Sequence, residues 1–543
     1  MSKRKMPLNN RIVLPLFSLM LSLITLSDVF AQDSLANLPE LSLPLTDKKL
    51  VIAHCMTHII RYKGHEFEDG ANPKYYPISA PIGGYSQVDV MADSMLSNAS
   101  LEEAVEYEMR AAKKCGIDGF QFYYPLSNSQ GQDDIIKAYF KVADEKNIDF
   151  KFTFCFSHPN TPGLDENAKL IQFAVRVNDI MATVGHNNSH WLRTPDGRLI
   201  VYMWYGEQIA DVPADNVRTK PVYFYQANAY RKLANACGEK FACMYSINSD
   251  ITKGDLDDLL DYFPGAWLWT EAYEHKGEDK MVATFCKKRN RAYTASVFPD
   301  FYTSKVLEPN NPDWKILTNE QAEAAGVSGM QRKYMSVGLS QTYRKQLQFA
   351  VDNNSPIINF ITWNDYPEGH HLAPEVNHNF GFSVLLDYYK SVWRNETSPF
   401  ADHDVAVVFF KKYKSSIKPK PYNVSVETIG STIDKGTGAI EDSIEVVTIL
   451  PQPAQLVVNG ETVNVPAGLN AQRFKSQPGP VNVAIQRNGV VTKSFTTPEA
   501  ITDNPQRTDR LTYTFDTEFD NYYHAIFGNA PPMYSHQYNT AAK

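Results

Sequence analysis

The sequence predicts an α/β protein: a (β/α)₈ barrel followed by a small C-terminal β-sandwich. Three observations carry that expectation. Eight short, almost continuously apolar runs alternate with helical periodicity as far as Trp363. Beyond about residue 420 the texture changes to short segments of two-residue period joined by Asn-Gly turns. And 543 residues are more than one ordinary domain. Near-continuous apolar strands between helices imply a parallel sheet covered on both faces. Eight strand–helix units in roughly 320–350 residues have the size of a barrel with insertions, a doubly wound open sheet being the alternative.

The strand candidates, in order, are 50–54 (LVIAH), 119–124 (GFQFYY), 150–156 (FKFTFCF), 199–205 (LIVYMWY), 241–245, 266–270 (AWLWT), 293–298 (YTASVF) and 356–363 (PIINFITW). Helical patterns fill the intervals. The first opens on a capping box, Ser100 with Glu103, and stops at Gly116. Others cover 133–146, 168–184, 226–236, 256–262, 279–289 and 340–351. Residues 414–422 (KSSIKPKPY) read as a linker. The segments 443–450, 454–458, 462–465, 481–486 and 490–495 follow, with Asn459-Gly460 and Asn488-Gly489 as hairpin turns. The expected organisation is a signal peptide at 1–31, the barrel at 45–400, the sandwich as an accessory domain at 420–500 and an extension at 501–543.

The leader reading rests on a basic start (Lys3 to Arg11), an apolar run from Ile12 to Leu26 too short to span a membrane comfortably, and Val29-Phe30-Ala31 as a cleavage site. No Cys follows that would take a lipid anchor. The expectation is an exported protein, periplasmic or extracellular, without a membrane span. The leader carries +3, so the remainder carries −11 against −8 for the whole chain. That acidity excludes the electrostatic footprint of a nucleic-acid-binding protein. Six cysteines in so long a chain are not a disulfide framework, although Cys237 and Cys243 are placed to bridge a helix end to the next strand. No Cys/His spacing has the form of a zinc site. Aromatic residues reach 12%, a composition that suits stacking on sugar C–H faces and equally suits packing a large barrel.

Functional groups of such a barrel stand just past the C-terminal ends of its strands. In strand order those positions hold His54; Tyr123 and Tyr124; Ser157 and His158; Trp204 and Glu207; Asn248; Trp269 and Glu271; Phe298, Asp300 and Tyr302; then Trp363, Asn364, Asp365 and Glu368. The set has carboxylates, aromatics and imidazoles. It lacks a Gly-rich phosphate loop, a strand-end Schiff-base Lys and a Ser elbow. The densest stretch is Ile361 to Leu372 (ITWNDYPEGHHL). Asp365 and Glu368 are three apart, so on a helical turn both face one side. A protonated acid beside an ionised carboxylate is what glycosidic-bond hydrolysis requires. Proximity separates the two pKa values, and Pro367 restricts the turn between them. The bland reading is an acidic surface turn capping a helix.

The stretch 363–372 (WNDYPEGHHL) with Pro374 resembles the Trp-Asn-Asp-Tyr-Gly-Glu-Ser-His motif of glycoside hydrolase family 71, the α-1,3-glucanases or mutanases. It is also similar to the Asn-Glu-x-x-Glu-Gly motif of family 99, the endo-acting α-mannan enzymes. Weaker similarities to family 71 are 51–54 (VIAH), 116–120 (GIDGF) and 296–302 (SVFPDFY). The resemblance implies a barrel hydrolase of α-linked polysaccharide over about residues 50–395. It implies Glu368 as general acid and Asp365 as general base, acting through a water with inversion. Departures fall at Pro367, Gly369, Ser157-His158 and 204–207 (WYGE), where substrate would be met. The expected substrate contacts are His54, Tyr123, His158, Trp204, Glu207, Trp269, Glu271, Tyr302, Trp363, Asn364, His370 and His371. No metal or organic cofactor is implied, because two carboxylates suffice. The expected partner is a poly- or oligosaccharide. The rival readings are a glycan-binding barrel of a polysaccharide-uptake system without catalysis, and a glycosyltransferase-like relative, which an exported chain disfavours.

Overall fold

The computed structural model describes residues 44–65, 90–247, 251–269, 278–302, 329–417, 423–431, 438–505 and 510–532. The leader expected at 1–31 lies outside them. The barrel alternates β1 (Leu50–Cys55), α1 (Leu101–Lys114), β2 (Gly119–Pro125), α2 (Gln132–Glu145), β3 (Lys151–Ser157), α3 (Glu166–Val184), β4 (Leu199–Trp204), α4 (Val222–Ala236) and β5 (Phe241–Ile247). It continues with α5 (Lys253–Leu260), β6 (Gly265–Leu268), α6 (Glu278–Lys288), β7 (Ala292–Tyr293 and Ala295–Val297, interrupted at Thr294), α7 (Gln341–Asp352), β8 (Ile357–Phe360) and α8 (Gly381–Arg394). All strand pairs are parallel. The first piece of β7 pairs with β6 and the second with β8, and β8 pairs with β1, so the ring closes. This is the predicted barrel, not the open sheet.

Strand alternation divides the core in two. Outward residues such as Val51, Phe120, Phe122, Phe152, Phe154 and Val201 pack under the helices. Inward residues, including Ile52, Cys155, Ile200, Tyr202, Met244 and Trp267, fill the barrel. Inside the barrel runs a polar belt. Gln121 Nε2 donates to Asn359 Oδ1 at 3.3 Å, and Asn359 Nδ2 to Thr294 Oγ1 at 2.7 Å. Because alternation continues along each strand, the same inward face brings His54, Trp204 and Trp269 to the C-terminal mouth. The capping box at Ser100 and Glu103 forms as predicted.

The second unit is a sandwich of two antiparallel sheets. Its strands are β9 (Val405–Lys411), β10 (Ser443–Leu450), β11 (Ala454–Val458), β12 (Glu461–Val465), β13 (Gly468–Lys475), β14 (Gly479–Arg487), β15 (Val490–Ile501) and β16 (Thr512–Asp516). They are ordered β13-β10-β9-β16 and β12-β11-β14-β15. The Asn-Gly pairs at 459–460 and 488–489 turn the β11–β12 and β14–β15 hairpins, with positive φ at all four residues. Two strands come from outside the 420–500 stretch: β9 precedes the supposed linker and β16 falls in the supposed extension. A parallel strand pair, Gly329–Ser336 with Asn423–Ser431, also lies where the sequence suggested none.

β9 is buried on both faces. Ala406, Val408 and Phe410 enter the sandwich core, while Val405, Val407 and Phe409 enter the barrel core beside α8. The contact is close: a Cβ on Gly381, the first residue of α8, would meet Thr514 Oγ1 at 2.5 Å and Val407 Cγ1 at 2.8 Å. A last helix, α9 (Phe519–Phe527), lies against α1, with Lys114 Nζ 4.3 Å from the Tyr522 ring centre. All six cysteines carry free, buried thiols, so Cys237 and Cys243 do not bridge.

Candidate active site

The loop after β8 is pinned by its backbone. Thr362 N–H donates to His370 O (2.7 Å), Trp363 N–H to His54 O (2.7 Å), and Tyr302 N–H to Glu368 O (3.1 Å). Thr362 Oγ1 accepts from Asp365 N–H at 2.8 Å. Tyr366–Glu368 then form a single 3₁₀ turn with Pro367 inside it, ended by Gly369 at φ +69°. Only glycine fits there, since a Cβ would stand 2.5 Å from Leu511 Cδ2. The turn brings Asp365, Glu368 and His370 together, with one ligand atom of each within 4.8 Å of the others. Asp365 is buried, whereas the Glu368 side chain keeps 35% exposure toward the mouth.

His370 is fully buried, and its Nε2 lies 2.9 Å from Glu368 Oε2. Burial alone would lower its pKa. The hydrogen bond to Glu368 and the charges of Asp365 and Glu368 outweigh burial, so the net shift is upward. Glu368 and His370 are therefore coupled, by a hydrogen bond and by charge.

Around this cluster stands an aromatic wall. Trp204 and Trp269 stack at 4.5 Å, and His54 meets Trp269 edge-on at 4.7 Å. His158 packs its edge on Trp204 at 4.5 Å and its face on Tyr205 at 4.8 Å. Tyr123 lies 6.2 Å from both His54 and Trp204. Trp269 reaches His370 at 6.2 Å, which joins the wall to the carboxylates. Burial pushes His54 down to about 3, so its imidazole is neutral. Burial raises the carboxyl pKa of Glu207, on the 3₁₀ turn Gly206–Ile209 after β4. Trp269→Ala is expected to weaken oligosaccharide binding by ~1–2 kcal/mol, roughly tenfold, through loss of a stacking face. Titration calorimetry with an oligosaccharide checks this, and unchanged affinity would remove the wall from the binding surface.

Of the expected contacts, His54, Tyr123, His158, Trp204, Trp269 and His370 gather at the mouth, and Glu207 stands beside them on the β4 side. Glu271 and Asn248 lie outside the described residues. Four expectations are corrected. Trp363 is wholly buried in the outer core, 5.8 Å from Phe120, and its Nε1 donates to Glu108 of α1. Asn364 has both amide groups engaged by the loop after β1: Oδ1 accepts from Met56 N–H (2.8 Å), and Nδ2 donates to Met56 O and Ile59 O. His371 turns inward toward Glu375 and His378. Tyr302 is buried and serves the loop through its backbone.

Sequence reasoning also missed Glu108. It sits in the buried stripe Ala104, Val105, Glu108, Met109, Ala112 of α1, where a carboxylate in an apolar face was a readable anomaly. Burial pushes it up from 4.5 to about 7, opposed by the Trp363 hydrogen bond. An acid raised in the folded state contributes stability that is complete below about 4.5 and is lost as pH rises through 7. Glu108→Gln, which can still accept from Trp363, is expected to stabilise the protein at pH 8 by up to ~3 kcal/mol and hardly at pH 5. Thermal unfolding at both values tests this, and equal shifts at the two would refute it.

Residues 332–515, which hold β8, the Asp365–Glu368 turn and the sandwich, match the family model described as Glycosyl hydrolase family 71. The chain is a glycoside hydrolase by class. That match spans about a third of the chain and agrees with the resemblance of the strand-eight motif to family 71. Among solved structures it is similar to a GH99 endo-α-mannosidase from Bacteroides thetaiotaomicron bound to BIS-TRIS propane (12% identity, TM-score 0.41, 65% of this chain and 99% of that one). It is also similar to an FMN-binding β-glucuronidase from Faecalibacterium prausnitzii L2-6 (9% identity, TM-score 0.42, 86% of this chain and 58% of that one). No curated protein matches. Among the described residues no helix is long and apolar enough to cross a membrane.

Proposed function

We propose that the protein is an exported hydrolase of α-linked polysaccharide, an α-1,3-glucan or a related α-glucan or α-mannan, with Asp365 and Glu368 as its catalytic pair. The observation that carries this reading is the meeting of Asp365, Glu368 and His370 within 4.8 Å beside an aromatic wall at the barrel mouth. Glu368, hydrogen-bonded to His370, protonates the leaving glycosidic oxygen. Asp365 serves the anomeric carbon. The basic start and apolar run before residue 31 support export.

The resemblance implies inversion, with Asp365 activating a water, and retention is the alternative. Inverting pairs stand about 6.5–9.5 Å apart to admit a water, and retaining pairs about 5–5.5 Å. One oxygen of Asp365 and one of Glu368 lie within 4.8 Å of each other, which brings the pair to one cavity; in the retaining alternative Asp365 attacks directly and Glu368 then activates the water that releases the sugar.

The test is product release from a panel of α-glucans and α-mannans, with the anomer of the first product followed by NMR. We expect one polysaccharide to be cut with its configuration inverted. A retained configuration would make Asp365 the nucleophile. No cleavage of any glycan that nevertheless binds would replace the hydrolase with the glycan-binding barrel.

A further inference from the structure

Beneath the catalytic turn lies a second cluster, His371, Glu375 and His378, all 0–2% exposed. We propose that these three residues form a structural zinc-class site that clamps the β8 loop from below. One ligand atom of each lies within 4.8 Å of the others. His371 Nε2 and His378 Nδ1 are each 3.5 Å from Glu375 Oε1. Ligands bound to zinc at about 2.0–2.1 Å stand roughly 3.3–3.4 Å apart in a tetrahedron, so these separations suit an ion placed between them. Neither ring nitrogen of His371 completes a hydrogen bond.

Two further observations point the same way. Glu375 is held in place by backbone N–H groups, that of Asn377 at 2.6 Å and that of His378. Among the described residues its ion-pair partners are only the two imidazoles. The nearby Lys411 is engaged by Asp300. A buried carboxylate without a fixed cation is costly, and a divalent ion supplies the charge. His378 also has the surroundings of a metal ligand. Its Nδ1 lies 3.5 Å from Glu375 Oε1 and 3.3 Å from the His371 carbonyl oxygen, while its Nε2 stands 3.8 Å from Asp300 Oδ2, and Asp300 is fixed by Lys411 Nζ (3.1 Å) and Thr512 N–H (2.6 Å). A carboxylate behind the second ring nitrogen is the usual support of a ligating imidazole. Two imidazoles and one carboxylate suit zinc better than calcium or magnesium, which take oxygen ligands. A water would complete the four.

Metal analysis of the purified protein, dialysed against metal-free buffer, is expected to find about one zinc per chain. Chelator-treated protein should lose thermal stability and regain it on adding Zn²⁺. Cobalt should replace zinc with the visible bands of a tetrahedral site. His371→Gln and His378→Gln should lose the metal, while Asp365→Asn and Glu368→Gln should keep it. Negligible metal in the wild type, with no response to added Zn²⁺, would overturn the proposal and leave His378 bridging Glu375 and Asp300 without an ion. Metal kept by the histidine variants but lost from Asp365→Asn would also overturn it, by moving the ion to the catalytic cluster.

Discussion

Asp365→Asn and Glu368→Gln are each expected to cut the rate of glycan hydrolysis by about 10²–10⁴-fold while leaving oligosaccharide binding nearly intact. Both changes keep the shape of a side chain that the loop already holds by its backbone, so the fold should be untouched. The variant at Glu368 removes the partner of His370 as well as the acid. A substrate with a good leaving group needs no proton donor. Glu368→Gln should therefore recover much of its first-step rate on an activated aryl glycoside, and Asp365→Asn should not. Rates on both substrates, with calorimetric affinities beside them, make the test. Full activity in either variant would take that residue out of the chemistry.

The largest expected effect on stability is at the joint between barrel and sandwich. Lys411 and Asp300 form an ion pair with both side chains at most 1% exposed; burial alone would raise the Asp300 carboxyl, but the Lys411 charge, with His378 and the Thr512 hydrogen bond, outweighs it and holds Asp300 well below the usual carboxylate range. Removing one partner strands the other charge in the interior. Lys411→Met is expected to cost about 3–5 kcal/mol, and the double change with Asp300→Asn to restore most of that. Urea unfolding should show the midpoint falling. A loss below about 1 kcal/mol for Lys411→Met would mean that water reaches the pair.

Much of this was legible in the sequence because periodicity is local. The strands near 50, 120, 150, 200, 241 and 357 announce themselves as apolar runs, and the Asn-Gly turns fix two hairpins. Asp365 and Glu368 were legible because their spacing and their place after the last strand are both sequence properties. What stayed hidden depends on direction. Trp363, Asn364 and His371 belong to the same dense stretch as Asp365 and Glu368, yet the loop sends each away from them: Trp363 to Glu108 and Asn364 to Met56, both distant in sequence, and His371 to Glu375 four residues on. No periodic rule applies to an irregular loop, so proximity in sequence was mistaken for a shared cavity. β9 and β16 were missed for a related reason. A strand buried on both faces loses the alternation that marks a half-exposed one, and the partners of β9 come from positions up to 109 residues onward, as Val407 opposite Asp516 shows.

The two-sided burial of β9 bears on how such a protein can be divided. A part attached by a tether can be lost, exchanged or inherited alone. A strand whose alternate side chains complete two different interiors cannot, because cutting the chain after α8 would bare an oily face on the barrel and an unpaired edge on what remains. The sandwich is therefore a wall of the enzyme, and the two halves should melt as one body.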